Sequence, residues 1–340
     1  MPPRLNLSFQ TLSRIESLTR THKPGIFYLT GLICPQLIEG GTPLPESSNP
    51  QITILLPCYN EEEALGPLID EIRFVMDQTL YEYEILVVDD ASTDNSTKVA
   101  EEKNVRLIKR TVNGGSGASR RTGIRASNGE IIVMMDADGS YRPEDIPRML
   151  ELFPDYSQVN GARTSEKGTL PFLRVPAKWF IRKLASYLVG RPIPDLNTGL
   201  KAFKKKDMMR FLWIIPDGFS CVTTMTLVFM ANDLPVAYVP AGYRERVGKS
   251  KFHPVKDTVN YVLTVIRMIM YFNPLKIFLP VSLILFLIGI IKTLYDWFCV
   301  VHYMQASDIV ILMTSIILGG FGLIADQFTA LFRALGYPRE

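Results

Sequence analysis

Clustered cysteines and histidines are missing from this chain. Its four cysteines, Cys34, Cys58, Cys221 and Cys299, lie far apart, and none pairs with a histidine at a zinc-ligand spacing. Without a Cys-x-x-Cys pair or a dense cysteine framework, neither a structural zinc site nor a disulfide-stapled domain is expected. The thiols are therefore expected to be isolated and reduced, in a protein that faces the cytosol.

A strong charge of either sign is also missing. The 340 residues contain 37 Lys and Arg against 34 Asp and Glu, and a net charge of +3 does not indicate a nucleic-acid partner. No amino-terminal stretch combines a basic region, an apolar segment of signal length and a small-residue cleavage site, so no signal peptide is expected. The length allows one large domain plus additional segments, and long apolar runs are concentrated near the carboxyl end.

Apolar runs and amphipathic segments alternate from Ile52 onward. Buried strands are predicted at 52–57, 84–90, 105–109 and 130–135, and helices at 61–77, 96–103 and 117–127. Such alternation predicts an α/β fold with a parallel or mostly parallel sheet and helices on both faces.

The strand at 130–135 ends in two carboxylates, Asp136 and Asp138. In open α/β sheets ligands bind at the carboxyl ends of strands, and paired oxygen ligands suit Mg²⁺ or Mn²⁺. A lone Asp-x-Asp arises about once by chance in a chain of this length. A loop that caps the helix beginning near Pro143 is the competing interpretation.

Two other strands end in polar residues at the same edge, Tyr59-Asn60 and Asp89-Asp90. Three such ends form an acidic and polar rim that folding alone does not require. It suits a nucleotide base and ribose, with a metal between protein carboxylates and a diphosphate.

A glycine-rich turn, 113–117, lies beside Arg110, Arg120 and Arg121. It has neither Walker nor G-x-G-x-x-G spacing. Binding of phosphate at a helix N-terminus and a tight strand-to-helix connection are equally compatible with it.

Six motifs, in this order and spacing, resemble those of the inverting family 2 glycosyltransferases with the GT-A fold. They are Pro57-Cys-Tyr-Asn-Glu61, Val88-Asp-Asp-Ala-Ser-Thr-Asp94, Asn113-Gly-Gly, Asp136-Ala-Asp-Gly-Ser140, Gly161-Ala-Arg163 and Asp195-Leu-Asn-Thr-Gly-Leu-Lys-Ala-Phe203. The resemblance is nearest to the dolichyl-phosphate mannose synthase-like polyprenyl-phosphate glycosyltransferases and covers roughly residues 50–275. It implies a Rossmann-like GT-A domain that moves a sugar, with inversion, from a UDP- or GDP-sugar to undecaprenyl or dolichyl phosphate. The lipid-linked monosaccharide would serve cell-envelope glycan or glycoprotein synthesis.

The same resemblance assigns the donor site. The base and ribose would be contacted by Pro57, Tyr59, Asn60, Glu61 and Asp90, with Asp89 nearby. Asp136 and Asp138 would hold the donor diphosphate through Mg²⁺ or Mn²⁺. Arg163 would face the donor sugar or the acceptor phosphate, which makes Asp138 and Arg163 the catalytic candidates.

Basic residues are the candidates for the acceptor phosphate: Arg174, Lys178, Arg246, Lys249 and Lys251. The last three resemble the family's Arg-x-x-Gly-x-Ser-Lys segment, but the spacing between Arg and Gly is one residue shorter here.

Two segments, 171–190 and 255–272, interleave basic with apolar and aromatic residues, as helices at a membrane interface do. For the first, a core-packing helix with a solvated basic face is an equal alternative. Two apolar runs, about 275–299 and 309–332, are each long enough to span a bilayer.

Lys and Arg are absent from the loop at 300–308 but flank both spans, so the catalytic domain and carboxyl terminus are predicted to be cytoplasmic. The expected organisation is an extension and linker (1–50), a GT-A domain (51–253), an interface helix (254–273), a two-helix hairpin (274–332) and a cytoplasmic tail (333–340). Self-association through the spans, as in similar proteins, is left open.

A carboxylate base that many family 2 enzymes place around 219–224 is absent, and Ser220, Thr223 and Thr224 stand there instead. A phosphate acceptor would make that base dispensable because its oxygen is already anionic. The alternatives are transfer to a hydroxyl of a lipid or glycan and a non-catalytic nucleotide-binding membrane protein. A processive synthase is not expected, because it would need a Gln-x-x-Arg-Trp segment and more spans than this sequence contains.

Overall fold

The computed structural model describes residues 50–163, 171–218, 220–246, 254–300 and 302–335. The side chains of 171–178, 180, 254–258 and 332–335 are outside this description. All of the described residues belong to one compact unit, Ser47–Glu340.

A seven-stranded mixed sheet forms the centre of the protein. Its strands are β1 (Ile52–Cys58), β2 (Tyr83–Asp89), β3 (Arg106–Lys109), β4 (Ile131–Met134), β5 (Gln158–Arg163), β6 (Lys201–Lys204) and β7 (Val236–Ala241). They are arranged in the order β3-β2-β1-β4-β6-β5-β7. Only β6 runs antiparallel to its neighbours, β4 and β5. The prediction of a mostly parallel α/β sheet is confirmed.

Helices cover both faces of the sheet. Those of the catalytic domain are α1 (Glu62–Met76), α2 (Ser96–Glu102), α3 (Ser116–Ala126), α4 (Ile146–Leu150), α5 (Pro171–Val189), α6 (Lys205–Met209), α7 (Cys221–Ala231) and α8 (Pro254–Phe272). Short 3₁₀ turns occur at Pro143–Asp145 and Leu212–Ile214. Strands β1, β2 and β4 are therefore largely buried on both sides, which explains their apolar sequences, whereas β3 at the edge of the sheet is partly exposed.

Side chains alternate between two hydrophobic clusters because successive residues of a strand point to opposite faces. Along β1, Ile54 and Leu56 join α1, α2 and α4, whereas Leu55 joins α3, α5, α7 and α8. The second cluster is the one that continues toward the carboxyl-terminal helices, since it includes Phe272 at the end of α8.

Two long helices, α9 (Leu275–Tyr295) and α10 (Ala306–Leu335), form a hairpin. Segments Leu275–Val300 and Ala306–Leu331 are long and apolar enough to cross a membrane, with mean hydropathy values of 2.4 and 2.1. A π-helical turn, Asp296–Val300, follows α9 and forms the end of the first segment. The second helix begins three residues earlier than the sequence pattern indicated, because the polar Ser307 and Asp308 form its first turn.

A cluster of charges closes the hairpin at this turn. Lys292 Nζ donates to Asp296 Oδ2 at 2.6 Å, to Asp308 Oδ1 at 2.5 Å and to Ser307 Oγ at 2.9 Å. Asp308 is fully buried. Asp296 is one helical turn from Lys292 along the chain, whereas Asp308 approaches from the other helix.

One lysine is buried inside the catalytic domain. Lys201, on β6, donates to Asn160 Oδ1 at 3.0 Å and to Thr226 Oγ1 at 2.7 Å. Among the described residues no carboxylate forms an ion pair with it, and burial lowers the pKa of Lys201 to about 7. A charged ammonium in this position destabilises the fold.

Lys201 should therefore make stability depend on pH. Between the folded pKa of about 7 and the ordinary value of 10.5, the unfolded chain binds a proton that the folded chain does not. The free energy of unfolding contributed by this group thus rises with pH through that window. Thermal unfolding of wild type and Lys201→Met in detergent should show wild type gaining stability relative to the variant from pH 7 to 9. A difference that does not change with pH would contradict this interpretation.

Candidate active site

A cavity of about 360 Å³ opens at the carboxyl ends of β1, β2 and β4. Its lining includes residues from these ends and from five other segments: Pro57, Cys58, Tyr59, Glu61, Asp90, Asn113, Gly115, Ser116, Ser119, Arg120, Asp136, Ala137, Asp138, Asn197, Gly199, Gly218, Val222, Arg246 and Tyr261. The convergence of three strand ends predicted from the sequence is therefore observed.

Asp90 holds the glycine-rich turn against the end of β2. Its carboxylate accepts the backbone N–H groups of Gly114 (3.1 Å) and Gly115 (2.8 Å) and pairs with Arg110. Gly115 has φ +88°, a left-handed conformation that favours glycine. The turn is thus fixed at the beginning of α3, where Asn113, Gly115 and Ser116 line the cavity.

Asp89 and Asn60 lie beside the cavity without lining it. The buried Asp89 accepts from the backbone N–H of Ser92 at 3.2 Å and from Thr97 Oγ1 at 3.3 Å. Asn60 accepts the N–H of Thr93 at 2.8 Å. Asn60 therefore holds the loop after β1 against the loop after β2, whereas Asp89 supports the loop after its own strand. Pro57, Tyr59, Glu61 and Asp90 are the predicted base and ribose contacts that line the cavity directly.

The two carboxylates after β4 have different partners. Asp136 pairs through Oδ1 with the buried Arg120. Asp138 Oδ1 accepts both the N–H (3.1 Å) and the hydroxyl (2.6 Å) of Ser140. Burial raises the pKa of the Asp136 carboxyl; Arg120 opposes that shift and the nearby Asp138 carboxylate adds to it. One oxygen of each side chain is thus committed to the protein.

The remaining oxygens, Oδ2 of Asp136 and Oδ2 of Asp138, are suited to a divalent cation. In the described residues no group of three acidic, histidine or cysteine side chains is positioned to hold a metal. Mg²⁺ is commonly bound by one or two carboxylates together with substrate phosphates and water. The chemistry of this pair therefore fits an ion that arrives with a diphosphate.

Arg246 reaches into the cavity from the segment after β7. It donates through Nη2 to Glu61 Oε1 at 2.8 Å, and its Nε lies 3.6 Å from Asp138 Oδ2. That Nε is buried and has no hydrogen-bond partner within the described part of the chain. The structure thus places Arg246 between the acidic groups of the cavity, and its prediction as an acceptor-phosphate ligand is untested.

Arg163 lies at the end of β5, outside the cavity lining. Its guanidinium forms a bidentate pair with Asp195 (2.7 and 2.9 Å) and lies over the ring of Tyr243, 5.5 Å from the centroid. The pair joins β5 to the loop that carries Asn197 and Gly199. A role for Arg163 toward sugar or acceptor stays a prediction.

The other predicted acceptor ligands lie outside the described residues. Lys249 and Lys251 belong to 247–253, and only the backbone of Arg174 and Lys178 is described, in α5.

No carboxylate occupies the first turn of α7 in the described structure. Thr223 and Thr224 are buried there, and Thr223 donates to Asn197 Oδ1 at 2.8 Å. The nearest acid along the chain, Asp217, pairs with Arg121 on α3. Hydroxyl side chains thus stand at this position of the described structure.

Several cavity residues were missed by the sequence analysis as site residues. Arg120 was noted only as one of three arginines near a turn, and Tyr261 only as part of an interface helix. Gly199 belongs to a recognised motif, but its contact with Asp136 could not be foreseen. Tyr141, fully enclosed, accepts the Gly199 N–H at 2.7 Å and so holds this glycine in place.

Two family models match this chain, and each covers a different part of it. Residues 53–212 match Glycosyl transferase family 2, and residues 273–331 match the GtrB C-terminal hairpin. A dolichyl-phosphate hexose transferase of Haloferax volcanii is 28% identical over 60% of this chain and 87% of its own. An undecaprenyl-phosphate mannosyltransferase of Micrococcus luteus is 29% identical over 59% of this chain and 87% of its own.

A solved structure supports the fold. Glucosyl-3-phosphoglycerate synthase from Mycobacterium tuberculosis, in complex with Mn²⁺, UDP-glucose and phosphoglyceric acid, has a TM-score of 0.52 and 17% identity. The similarity covers 64% of this chain and 79% of that one. The predicted GT-A fold is confirmed.

Gly199 should be indispensable because of its contact with Asp136. A Cβ atom at this position would overlap Asp136 Oδ2. In Gly199→Ala we expect the carboxylate to be displaced and catalytic turnover to fall roughly 100-fold, the cost of a displacement of about 1 Å at a reacting centre. Steady-state kinetics and the melting temperature should be measured together.

Gly218→Ala is the matched control, since Gly218 lines the same cavity and an added Cβ would have no atom within 4 Å. Comparable turnover in the two variants, with both folded, would show that the Asp136 position is not critical.

Proposed function

Because residues 53–212 match glycosyl transferase family 2 and residues 273–331 match the GtrB C-terminal hairpin, we propose that the chain transfers a hexose from a nucleotide-sugar to a polyprenyl phosphate. Its relatives named above are transferases that act on dolichyl or undecaprenyl phosphate. The observation that carries the proposal is the cavity wall formed by Tyr261, because α8 continues through Asn273 and Pro274 into the first apolar span. A lipid that stays in the bilayer can therefore present its phosphate to the cavity.

The described residues supply a donor site. Pro57, Tyr59 and Glu61 contact the base and ribose, and Asp90 holds the glycine-rich turn at the edge of the cavity. Asp136 and Asp138 would hold Mg²⁺ or Mn²⁺, which would neutralise charge on the leaving nucleoside diphosphate. Arg120 keeps Asp136 oriented toward this position.

The transfer of the sugar then requires no general base to deprotonate the acceptor. An anionic oxygen of the acceptor phosphate attacks the anomeric carbon from the side opposite the diphosphate. As the new C–O bond forms, the bond to the nucleoside diphosphate breaks, and the leaving group departs with the electron pair. No proton has to be removed from the nucleophile, which agrees with Ser220, Thr223 and Thr224 in place of a base. The configuration at that carbon is inverted.

A hydroxyl acceptor is the second candidate, because the donor site would be the same. It would require a general base. Near α7 the described acid is Asp217, which is already paired with Arg121. A phosphate acceptor is therefore favoured.

The proposed reaction is tested with labelled nucleotide-sugars and either a polyprenyl phosphate or the matching polyprenol, in detergent. We expect a chloroform-soluble, mild-acid-labile product from the phosphate alone, formed with Mn²⁺ or Mg²⁺ and abolished by a chelator. Equal transfer to the polyprenol would establish the hydroxyl alternative.

Asp138→Ala separates catalysis from nucleotide binding in the same assay. It should lose turnover while calorimetry still detects the nucleoside diphosphate. A non-catalytic binding protein would show no transfer with any donor, even as wild type. Asp217→Asn, which changes a carboxylate outside the cavity lining, should retain transfer.

We further propose that the catalytic domain faces the cytoplasm and that the loop between α9 and α10 lies on the opposite side. The distribution of Lys and Arg supports this orientation. Association through the hairpin is a further expectation for which chemical cross-linking in the membrane is the test.

Cys299 offers a direct measurement of orientation. It is exposed in the turn of the hairpin, whereas Cys58 and Cys221 are buried. In a Cys34→Ser background, a membrane-impermeant maleimide should label intact cells at Cys299, and Cys299→Ser should abolish the signal. Labelling only after the membrane is opened would reverse the proposed topology.

A further inference from the structure

Three elements meet where the first span begins: the end of α5, the 3₁₀ turn Leu212–Ile214 and the end of α8. Lys276, at the start of α9, donates to the carbonyls of Tyr187 (3.2 Å) and Leu188 (2.5 Å) at the end of α5. Tyr187 in return donates its hydroxyl to the carbonyl of Lys276 at 2.9 Å. These bonds hold the catalytic domain against the membrane end of the hairpin.

Trp213 lies at the same level, although it is distant in sequence from both interface helices. Its ring contacts that of Tyr271 edge-on, with centroids 5.9 Å apart. Tyr271 precedes the beginning of α9 at Leu275 by only four residues. The indole is therefore close to the plane at which the chain enters the bilayer.

Trp213 is exposed although several residues around it in sequence are buried. Its relative exposure is 64%, whereas its neighbours Phe211, Leu212 and Ile215 are buried in the core. Tyr187 and Tyr271 at this junction are also exposed, at 51% and 44%, as is Met209 at the end of α6 just before the turn, at 42%. A fixed group of large apolar side chains in water marks a site of interaction.

Aromatic residues with a polar edge are the residues enriched at membrane interfaces. Exposed basic residues, Lys206, Arg210 and Arg267, occur on the elements that carry or adjoin this group. They complement anionic phospholipid headgroups. The continuity with α9 makes the bilayer, and not a protein, the occupant that the geometry favours.

We propose that Tyr187, Met209, Trp213 and Tyr271 form a docking platform that inserts into the interfacial layer of an anionic bilayer, with Trp213 as its central contact. The platform adds a support from the catalytic core itself to those given by α5 and α8. It rests on the membrane anchoring of the chain and does not depend on which acceptor is used.

The platform is linked to the cavity through the segment that follows it. The chain continues from the turn to Asp217, whose carbonyl accepts the N–H of Gly117 at 2.6 Å, and to Gly218, which lines the cavity. Arg121 also donates to the Ile215 carbonyl. Docking at Trp213 therefore fixes one wall of the cavity relative to the bilayer.

Fluorescence in nanodiscs of phosphatidylcholine and phosphatidylglycerol tests the platform. The chain contains three tryptophans, so Trp179→Phe with Trp297→Phe leaves Trp213 as the only one. Its emission should be strongly quenched by lipid brominated near the headgroup end of the acyl chains, less by lipid brominated near the tail end, and little by aqueous iodide. Quenching by iodide without quenching by either lipid would overturn the proposal.

Two control variants make the outcome unambiguous. Trp179→Phe with Trp213→Phe leaves Trp297 in the hairpin, and its quenching by lipid shows that the anchor is inserted. Phe74→Trp in a background of three Trp→Phe changes reports from α1, on the opposite face of the sheet, and should respond to iodide only. Quenching of Trp297 without quenching of Trp213 would reject the platform and leave the membrane anchor intact.

A kinetic measurement addresses the link to the cavity. Trp213→Ala should raise the KM for a polyprenyl phosphate in bilayers several-fold, leave the affinity for nucleoside diphosphate unchanged, and lose most of this defect in detergent micelles. Phe74→Ala should behave as wild type in both. An equal defect in bilayers and detergent would contradict a docking role. Should wild type itself fail to use a polyprenyl phosphate, the quenching result would still decide the platform.

Discussion

Charge compensation at the carboxyl ends of β1, β2 and β4 is the constraint on which the active site depends. Burying carboxylates is costly unless each is paired or hydrogen-bonded. Arg110 pairs with Asp90, Arg120 with Asp136, and Arg246 with Glu61 beside Asp138. These three arginines come from three separate segments, so the site is assembled only when the whole domain has folded.

The two faces of the sheet have different roles in the structure. Helices α1, α2 and α4 complete the core on one face, and nothing in the described structure connects them with the spans. On the other face, α8 supplies Tyr261 to the cavity and continues into α9, while α5 ends against Lys276. The site is therefore built on the membrane side of the domain, where the acceptor is available.

Local patterns in the sequence were sufficient for much of the fold. The run of apolar residues in β1 and the Asp136–Asp138 pair after β4 predicted strands and a polar edge, and recognised motifs predicted the GT-A fold. The antiparallel direction of β6 was not predictable in this way, because a four-residue strand with a lysine at each end carries no signal for its partner. The pairing of Arg120 with Asp136 and the approach of Tyr261 depend on contacts between distant segments, and residue types alone do not specify such contacts.

The charge cluster at the turn of the hairpin bears on how the protein reaches the membrane. An uncompensated lysine within a span costs about 2.5–3.5 kcal/mol near its centre, and Lys292 finds Asp308 only on α10. The first span alone would carry this lysine with Asp296 as its single partner. We therefore expect the two helices to enter the bilayer together as a paired hairpin. Lys292 can meet Asp308 only after α10 has been synthesised and has packed against α9.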